Sequence, residues 1–250
     1  MKALLLAAGY ATRLYPLTLD KPKALLPVAG KPIIGHILSN IEQVKDINEV
    51  LVITNNKFFK HFDEYAKTRN CRQKIKVLND GTVSNDDRLG AIGDIAFAIK
   101  KEGIKEGLLV VGADNIFDAR LTDFLKFVVS KKMPNCIALF DLKNKGLATK
   151  YGVVSVDKDS KVTDFEEKPK EPKSTYISTC IYYFPKERLG LFDKYLKGPG
   201  NPKDASGNYI KWLSEVDSVY GYPINGRWYD IGDMESYKKA DEDFKVVPRD

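Results

Sequence analysis

Five short apolar, β-branched runs, at residues 2–7, 49–54, 74–78, 107–112 and 135–140, alternate with stretches whose apolar residues recur every three or four positions, at 33–45, 58–69, 91–101 and 121–131. Runs this continuously apolar need cover on both faces, and helices that connect parallel strands supply it. The expected fold class is therefore α/β, a Rossmann-like, mostly parallel mixed sheet flanked by helices. Ligands in such sheets bind beyond the carboxyl ends of the strands.

After residue 140 the texture changes. Residues 151–157, 162–166 and 176–184 alternate in polarity and are separated by polar turns such as Asp157-Lys158-Asp159-Ser160, which predicts a small antiparallel addition to the sheet. Helices are expected near 186–196, 209–216 and 234–244, the last capped by Asp233. A chain of 250 residues buries roughly 70–75% of its unfolded surface, and no repeat or linker interrupts it. The expectation is a single domain over 1–250, with a first part of about 1–135 and a second of about 136–250.

Forty basic residues against 34 acidic ones leave a formal charge of +6, but the two signs are interspersed rather than gathered on one stripe, which argues against nucleic acid as a partner. Three separated cysteines without a CxxC pair, accompanied by two histidines, do not make a zinc site, and their odd number suits a reducing compartment. The apolar run 3–8 is too short for a signal peptide and meets Gly9, Arg13 and Pro16 at once; no later run approaches the ~20 residues that span a bilayer. A cytoplasmic protein with no membrane partner is expected.

The loop after the first strand, Leu6-Ala7-Ala8-Gly9-Tyr10-Ala11-Thr12-Arg13-Leu14-Tyr15-Pro16-Leu17-Thr18, runs on through Lys21-Pro22-Lys23 to Pro27. Three prolines forbid the immediate helix that a dinucleotide-binding turn needs, and no Gly-Lys-Ser/Thr follows at P-loop spacing. A long irregular loop with small residues and two cations can wrap a triphosphate or be an ordinary solvated loop; spacing alone leaves both open.

The stretch resembles the N-terminal signature of the sugar-1-phosphate nucleotidylyltransferases (nucleoside-diphospho-sugar pyrophosphorylases), L-A-A-G-x-G-T-R-L-x-P-L-T followed by P-K, with Ala11 where that family usually has its second glycine. Gly112-Ala113-Asp114-Asn115 and Trp228-Tyr229-Asp230-Ile231-Gly232 are similar to two further motifs of the family, as are Tyr151-Gly152-Val153-Val154 and Phe165-Glu166-Glu167-Lys168-Pro169. The resemblance implies a nucleotide part in the first portion of the chain and a sugar-phosphate part in the second. It implies Arg13 and Lys23 as catalytic residues, with Leu6, Ala7, Ala8 and Gly9 at the nucleotide. Asn79, Gly90 and Ala91 stand in the base-selecting segment, which departs from the glutamine-containing pattern of thymidylyl and uridylyl enzymes. Gly152, Glu167, Lys168 and Thr179 would bind the sugar phosphate, and Cys180 stands where the family commonly has glycine. Asp114 and Asp230 would hold Mg2+, which takes one or two protein carboxylates besides phosphates and water.

The implied reaction is in-line attack of a sugar-1-phosphate oxygen on the α-phosphorus of a nucleoside triphosphate, with pyrophosphate leaving. The nucleophile is already ionised, so alignment and charge neutralisation suffice. Asn79, Asn85 and Asn115 with their neighbouring acids also resemble the phosphocholine cytidylyltransferases. CTP-dependent transfer to phosphocholine or a polyol phosphate is the enzymatic alternative, and a non-catalytic nucleotide-sugar sensor the other. The sequence ends soon after its last expected helix, so no acetyltransferase or allosteric extension is expected. A homo-oligomer is allowed.

Overall fold

A computed structural model describes residues 1–245. The chain runs β1 (Lys2–Leu6), β2 (Pro27–Val28), β3 (Lys31–Pro32), α1 (Ile33–Ile41), β4 (Glu49–Thr54), α2 (Phe59–Thr68), β5 (Lys74–Asn79), α3 (Gly90–Glu102), β6 (Leu108–Gly112), β7 (Asn115–Phe117), α4 (Leu121–Ser130) and β8 (Asn135–Asp141). It continues α5 (Lys145–Ala148), β9 (Gly152–Val156), β10 (Val162–Glu167), β11 (Tyr176–Phe184), α6 (Gly190–Lys197), α7 (Ser206–Val216), β12 (Val219–Pro223), β13 (Trp228–Asp230) and α8 (Met234–Lys245).

The main sheet is ordered β10-β9-β11-β6-β1-β4-β5, with β8 added beside β11 and β12 beside β8. β6, β1, β4 and β5 are parallel, as the alternation of runs predicts. β8 does not extend that block. β11 lies between β6 and β8, antiparallel to both. The tyrosine-rich β11 has apolar groups for both faces, so it competes for the central position that the shorter-range βαβ reading gives to β8.

Side-chain alternation divides the core into two layers. Ala3, Leu5, Val50, Val52, Leu109 and Val111 face α1 and α4, whereas Leu4, Leu51, Ile53, Leu108 and Val110 face α3, α6 and α7. Most of these side chains have no exposed surface. Each buried Val, Leu or Ile among them contributes about 1.5–3 kcal/mol by leaving water. A third, smaller cluster of Leu14, Leu26, Val28, Ile33, Ile116, Ile231 and Ala240 lies under the long first loop and anchors it.

Five short strands, β2, β3, β7, β12 and β13, lie outside the expected elements; at two to five residues they are too short for a periodicity to register. α1 stops at Ile41 rather than 45, and α7 starts at Ser206 rather than 209. The expected cap holds, because Asp233 Oδ1 accepts the Ser236 N–H at 2.9 Å.

The first and second parts of the chain meet at α3. Gly90 has φ of 76°, and a Cβ there would stand 2.6 Å from the Lys203 carbonyl oxygen, which accepts the Ile92 N–H at 3.1 Å. Gly90→Ala combines left-handed strain with a backbone clash and is expected to lower unfolding free energy by about 2–4 kcal/mol in urea titrations. An unchanged midpoint would show that residue 203 yields without cost.

Candidate active site

As the first loop leaves β1, the Ala7 N–H still donates to the Ile53 carbonyl (2.9 Å), but the N–H groups of the next four residues do not pair among the described residues. Ala7 and Ala8 carbonyls accept the Thr54 hydroxyl (3.2 Å) and the Asn55 side-chain amide (2.9 Å), and the Leu6 carbonyl accepts the Ala113 N–H (3.0 Å). Among the described residues nothing accepts the N–H groups of Ala8, Gly9, Tyr10 or Ala11. Four consecutive unpaired donors, on a small-residue loop at the carboxyl end of a central strand, form a cradle for an anion. Ala11 adopts φ of 49°, the left-handed region that glycine occupies without strain, and its carbonyl accepts the Thr18 hydroxyl at 2.8 Å.

Two carboxylates come together beside this loop. β13 pairs antiparallel with β7, setting Asp230 against Asn115, and the Ile231 N–H donates to the Asp114 carbonyl at 3.0 Å. Lys23 Nζ lies 2.9 Å from Asp114 Oδ2. Asn115 is buried; its Nδ2 donates to Asp114 Oδ1 (3.1 Å) and to the Gly112 carbonyl (3.1 Å), while its Oδ1 accepts the Trp228 indole N–H (2.7 Å). Trp228 in turn packs between Phe140 and Tyr151. Burial, and after it the Asp114 carboxylate, push Asp230 up to about 6, against the pull of Lys23 and Arg13. The guanidinium of Arg13 and the Asp230 carboxylate both approach Gly232, 3.8 Å from where its Cβ would stand.

Asp230 accepts no side-chain hydrogen bond and makes no ion pair among the described residues. An under-neutralised pair of hard oxygen donors fits Mg2+, whose remaining ligands would be phosphates and water. No group of three or more His, Cys, Asp or Glu side chains suited to a metal occurs among the described residues.

On the other side of Asp230 is a cavity of about 270 Å³, lined by Arg13, Lys150, Tyr151, Gly152, Glu167, Lys168 and hydroxyl-bearing residues. Gly152 and Gly207 leave room for Glu167; a Cβ at Gly207 would lie 2.0 Å from Glu167 Oε2, and one at Gly152 would strike the Phe165 ring at 2.5 Å. Burial raises the Glu167 carboxyl, and neighbouring Lys168 opposes the shift. Thr179 is not among the lining residues; its hydroxyl donates to the Ala138 carbonyl at 2.9 Å. Ser178 and Cys180 line the cavity instead, because β11 is bulged between Ser178 and Tyr182, with Cys180 at φ of 56°.

Asn79 ends β5 beside the first loop, but its amide is engaged: Nδ2 donates to Asn56 Oδ1 (2.9 Å), and Oδ1 accepts the Gly81 N–H (2.8 Å). Gly90 faces the Lys203 backbone, so its lack of a side chain already serves packing within the chain. Ala91 follows it in the first turn of α3.

The profile of the Nucleotidyl transferase family matches residues 2–245. The chain belongs to this family. It is 32% identical to the "Bifunctional protein GlmU" of Methanocaldococcus jannaschii over 232 residues, 93% of this chain and 51% of that protein. The chain thus spans about half the length of that relative. A Bacillus anthracis protein provisionally named a glucose-1-phosphate thymidylyltransferase superposes with a TM-score of 0.85 at 23% identity, covering 100% of this chain and 97% of that one. A UDP-glucose pyrophosphorylase complexed with UDP-glucose does so at 0.81 and 19%, with 97% of each chain covered. Both share the fold.

In this nucleotidyl transferase several cavity residues carry no sequence signal of their own. Ser178, Tyr182 and Ser206 form a hydroxyl chain (3.1 and 3.0 Å), and Asp204 to Gly207 reach the cavity only because α7 begins there. The cap-like Asp204-Ala205-Ser206-Gly207 was the available hint. No helix among the described residues is long and apolar enough to cross a membrane.

Asp230 holds more protons folded than unfolded between its usual carboxylate value and about 6, so its contribution to metal-free stability falls as pH rises through that window. Asp230→Asn should therefore melt higher than the parent at pH 7.5 in EDTA, with the difference closing near pH 4. A difference that stays constant with pH would contradict the buried-pair account.

Proposed function

We propose that the chain is a single nucleotidylyltransferase domain that transfers a nucleotidyl group from a nucleoside triphosphate to a sugar-1-phosphate, releasing pyrophosphate. The observation that carries this reading is the convergence, on Asp230, of an anion cradle with Arg13 and Lys23 on one side and a polar cavity holding Glu167 and Lys168 on the other. Residues of about 1–135 supply the nucleotide side and those of about 136–250 most of the acceptor side.

The free N–H groups of residues 8–11 hold the triphosphate. Arg13 makes no ion pair among the described residues, and in this reading its guanidinium takes the departing pyrophosphate portion. Lys23 leaves Asp114 as negative charge develops at the α-phosphate. Mg2+ on Asp114 and Asp230 would supply Lewis-acid neutralisation of the phosphates. Lys168 meets the acceptor phosphate and Glu167 accepts from its hydroxyls. No general base is needed, since the attacking phosphate oxygen is already ionised; orientation does the rest.

A second reading, cytidylyl transfer to phosphocholine or a polyol phosphate, draws on Tyr151, Phe165 and Tyr182 beside Glu167 and Asp204 in the same cavity. The ammonium groups of Lys150 and Lys168 there oppose a quaternary ammonium and favour a polyhydroxylated acceptor. A non-catalytic sensor has no need of the full set of Arg13, Lys23, Asp114 and Asp230, all of which are present.

The test is pyrophosphate release with CTP, UTP, dTTP, ATP and GTP crossed against sugar-1-phosphates, polyol phosphates and phosphocholine, with Mg2+ or EDTA. Release with a sugar-1-phosphate, abolished by EDTA and cut about a hundredfold or more by Arg13→Ala or Lys23→Ala, is expected. Release with phosphocholine alone would transfer the assignment to the second reading, and no release with any pair would favour the sensor.

A further inference from the structure

Beneath the nucleotide-side loops lies a pair of acids outside the site described above. Asp80 follows β5 and Asp94 sits one turn into α3; both are more than nine-tenths buried. Asp80 Oδ2 and Asp94 Oδ1 have no hydrogen-bond partner as ionised groups, although the two carboxyls are within bonding reach of each other. The Tyr10 hydroxyl, buried beside Thr82, is likewise unpartnered.

The surroundings do not supply a cation. Asp87 faces the pair from the loop after β5, Asp204 from the segment before α7, and Tyr10 from the first loop. Asp204 is engaged by Arg88 in a two-pronged ion pair at 2.9 and 2.5 Å. Neither Asp80 nor Asp94 is ion-paired among the described residues. Two buried carboxylates in contact cannot both ionise cheaply, and one proton held between the two carboxyls removes the repulsion.

The hydrogen bonds around the pair favour Asp94 as its neutral member. Asp80 Oδ1 already accepts the Thr82 N–H (2.7 Å) and Thr82 hydroxyl (2.8 Å), which favour its ionised form, whereas burial and the Asp80 charge push Asp94 up to about 8. A chain of contacts then runs from α3 to the anion cradle. Asp94 fixes Asp80, Asp80 fixes Thr82, the Thr82 carbonyl accepts the Asn56 N–H (2.9 Å), and Thr82 abuts Tyr10 between Gly9 and Ala11.

We propose that Asp94 is a positioning residue: as a neutral acid it donates its proton to Asp80 and so holds the 80–89 loop and Tyr10 in the arrangement that receives the nucleotide. Loss of that proton places two negative charges in one buried space and releases Thr82. Asp94→Asn keeps a donor toward Asp80 without a titrating group, and Asp94→Leu keeps the volume without a donor.

The experiment follows the Asp94 side-chain carboxyl by 13C NMR and the exchange of the Thr82 amide from pH 5.5 to 9.5. The kinetic arm, which rests on the activity proposed above, records KM and kcat for the nucleoside triphosphate that supports pyrophosphate release. The expected result is an Asp94 midpoint well above that of an ordinary aspartate carboxyl. Across it, Thr82 protection should fall and KM rise by roughly tenfold, the worth of one buried hydrogen bond, with little change in kcat. Asp94→Asn should stay protected and low in KM at all pH values, and Asp94→Leu should be poor at all of them. A midpoint below pH 5, or Thr82 protection that ignores the titration, overturns the proposal. Absence of turnover with every nucleotide counts against the activity alone, and the carboxyl midpoint and Thr82 protection then decide this inference by themselves.

Discussion

The hydrogen bond from the Trp228 indole to Asn115 is the contact on which the site rests. It ties β13 to β7, two three-residue strands that would not pair stably in isolation. Their pairing sets Asp114 and Asp230 side by side, an arrangement whose own electrostatics oppose it. The opposing repulsion is offset by apolar packing: Ile116 and Ile231 lie in the third cluster, and Phe140 and Tyr151 flank the indole. The carboxylates are thus held by groups that take no part in chemistry, which leaves their oxygens available to Lys23 and to a cation.

The same division of labour runs through the first loop. Leu14 and Leu26 are buried while Arg13, next to Leu14 in sequence, stays exposed, so apolar anchors locate a cation whose charge remains free. Two strained backbones sit where the loops must turn. Ala11 and Cys180 both adopt left-handed conformations that cost a residue with a Cβ about 1–2 kcal/mol. Each lies at a bend that redirects the chain toward the site, the first in the anion cradle and the second in the bulge of β11.

The two parts of the chain are joined at close range. Gly90 packs on the Lys203 backbone, and Arg88 grips Asp204, which also lines the polar cavity beside Asp230. The loop that follows β5 therefore touches both parts of the chain at once. Its acid pair, Asp80 and Asp94, lies under that junction.

The sequence by itself determined the parallel block of β1, β4, β5 and β6 and the helices that cover it, because strand alternation and helical periodicity are local signals over five to thirteen residues. It also named Arg13, Lys23, Asp114, Asp230, Gly152, Glu167 and Lys168, through motifs in which residue type and spacing are both restricted. Only the tertiary structure decided that β11 separates β8 from β6, that Thr179 bonds to Ala138 while Ser178 and Cys180 line the cavity, and that Asn115 and Trp228 hold the two carboxylates. Strand order, bulge register and the partner of a buried polar atom depend on contacts between residues tens to over a hundred positions apart. No periodicity within a short window records such contacts, and so Asp94, an acid on an otherwise apolar helix face, shows its meaning only when Asp80 is found against it.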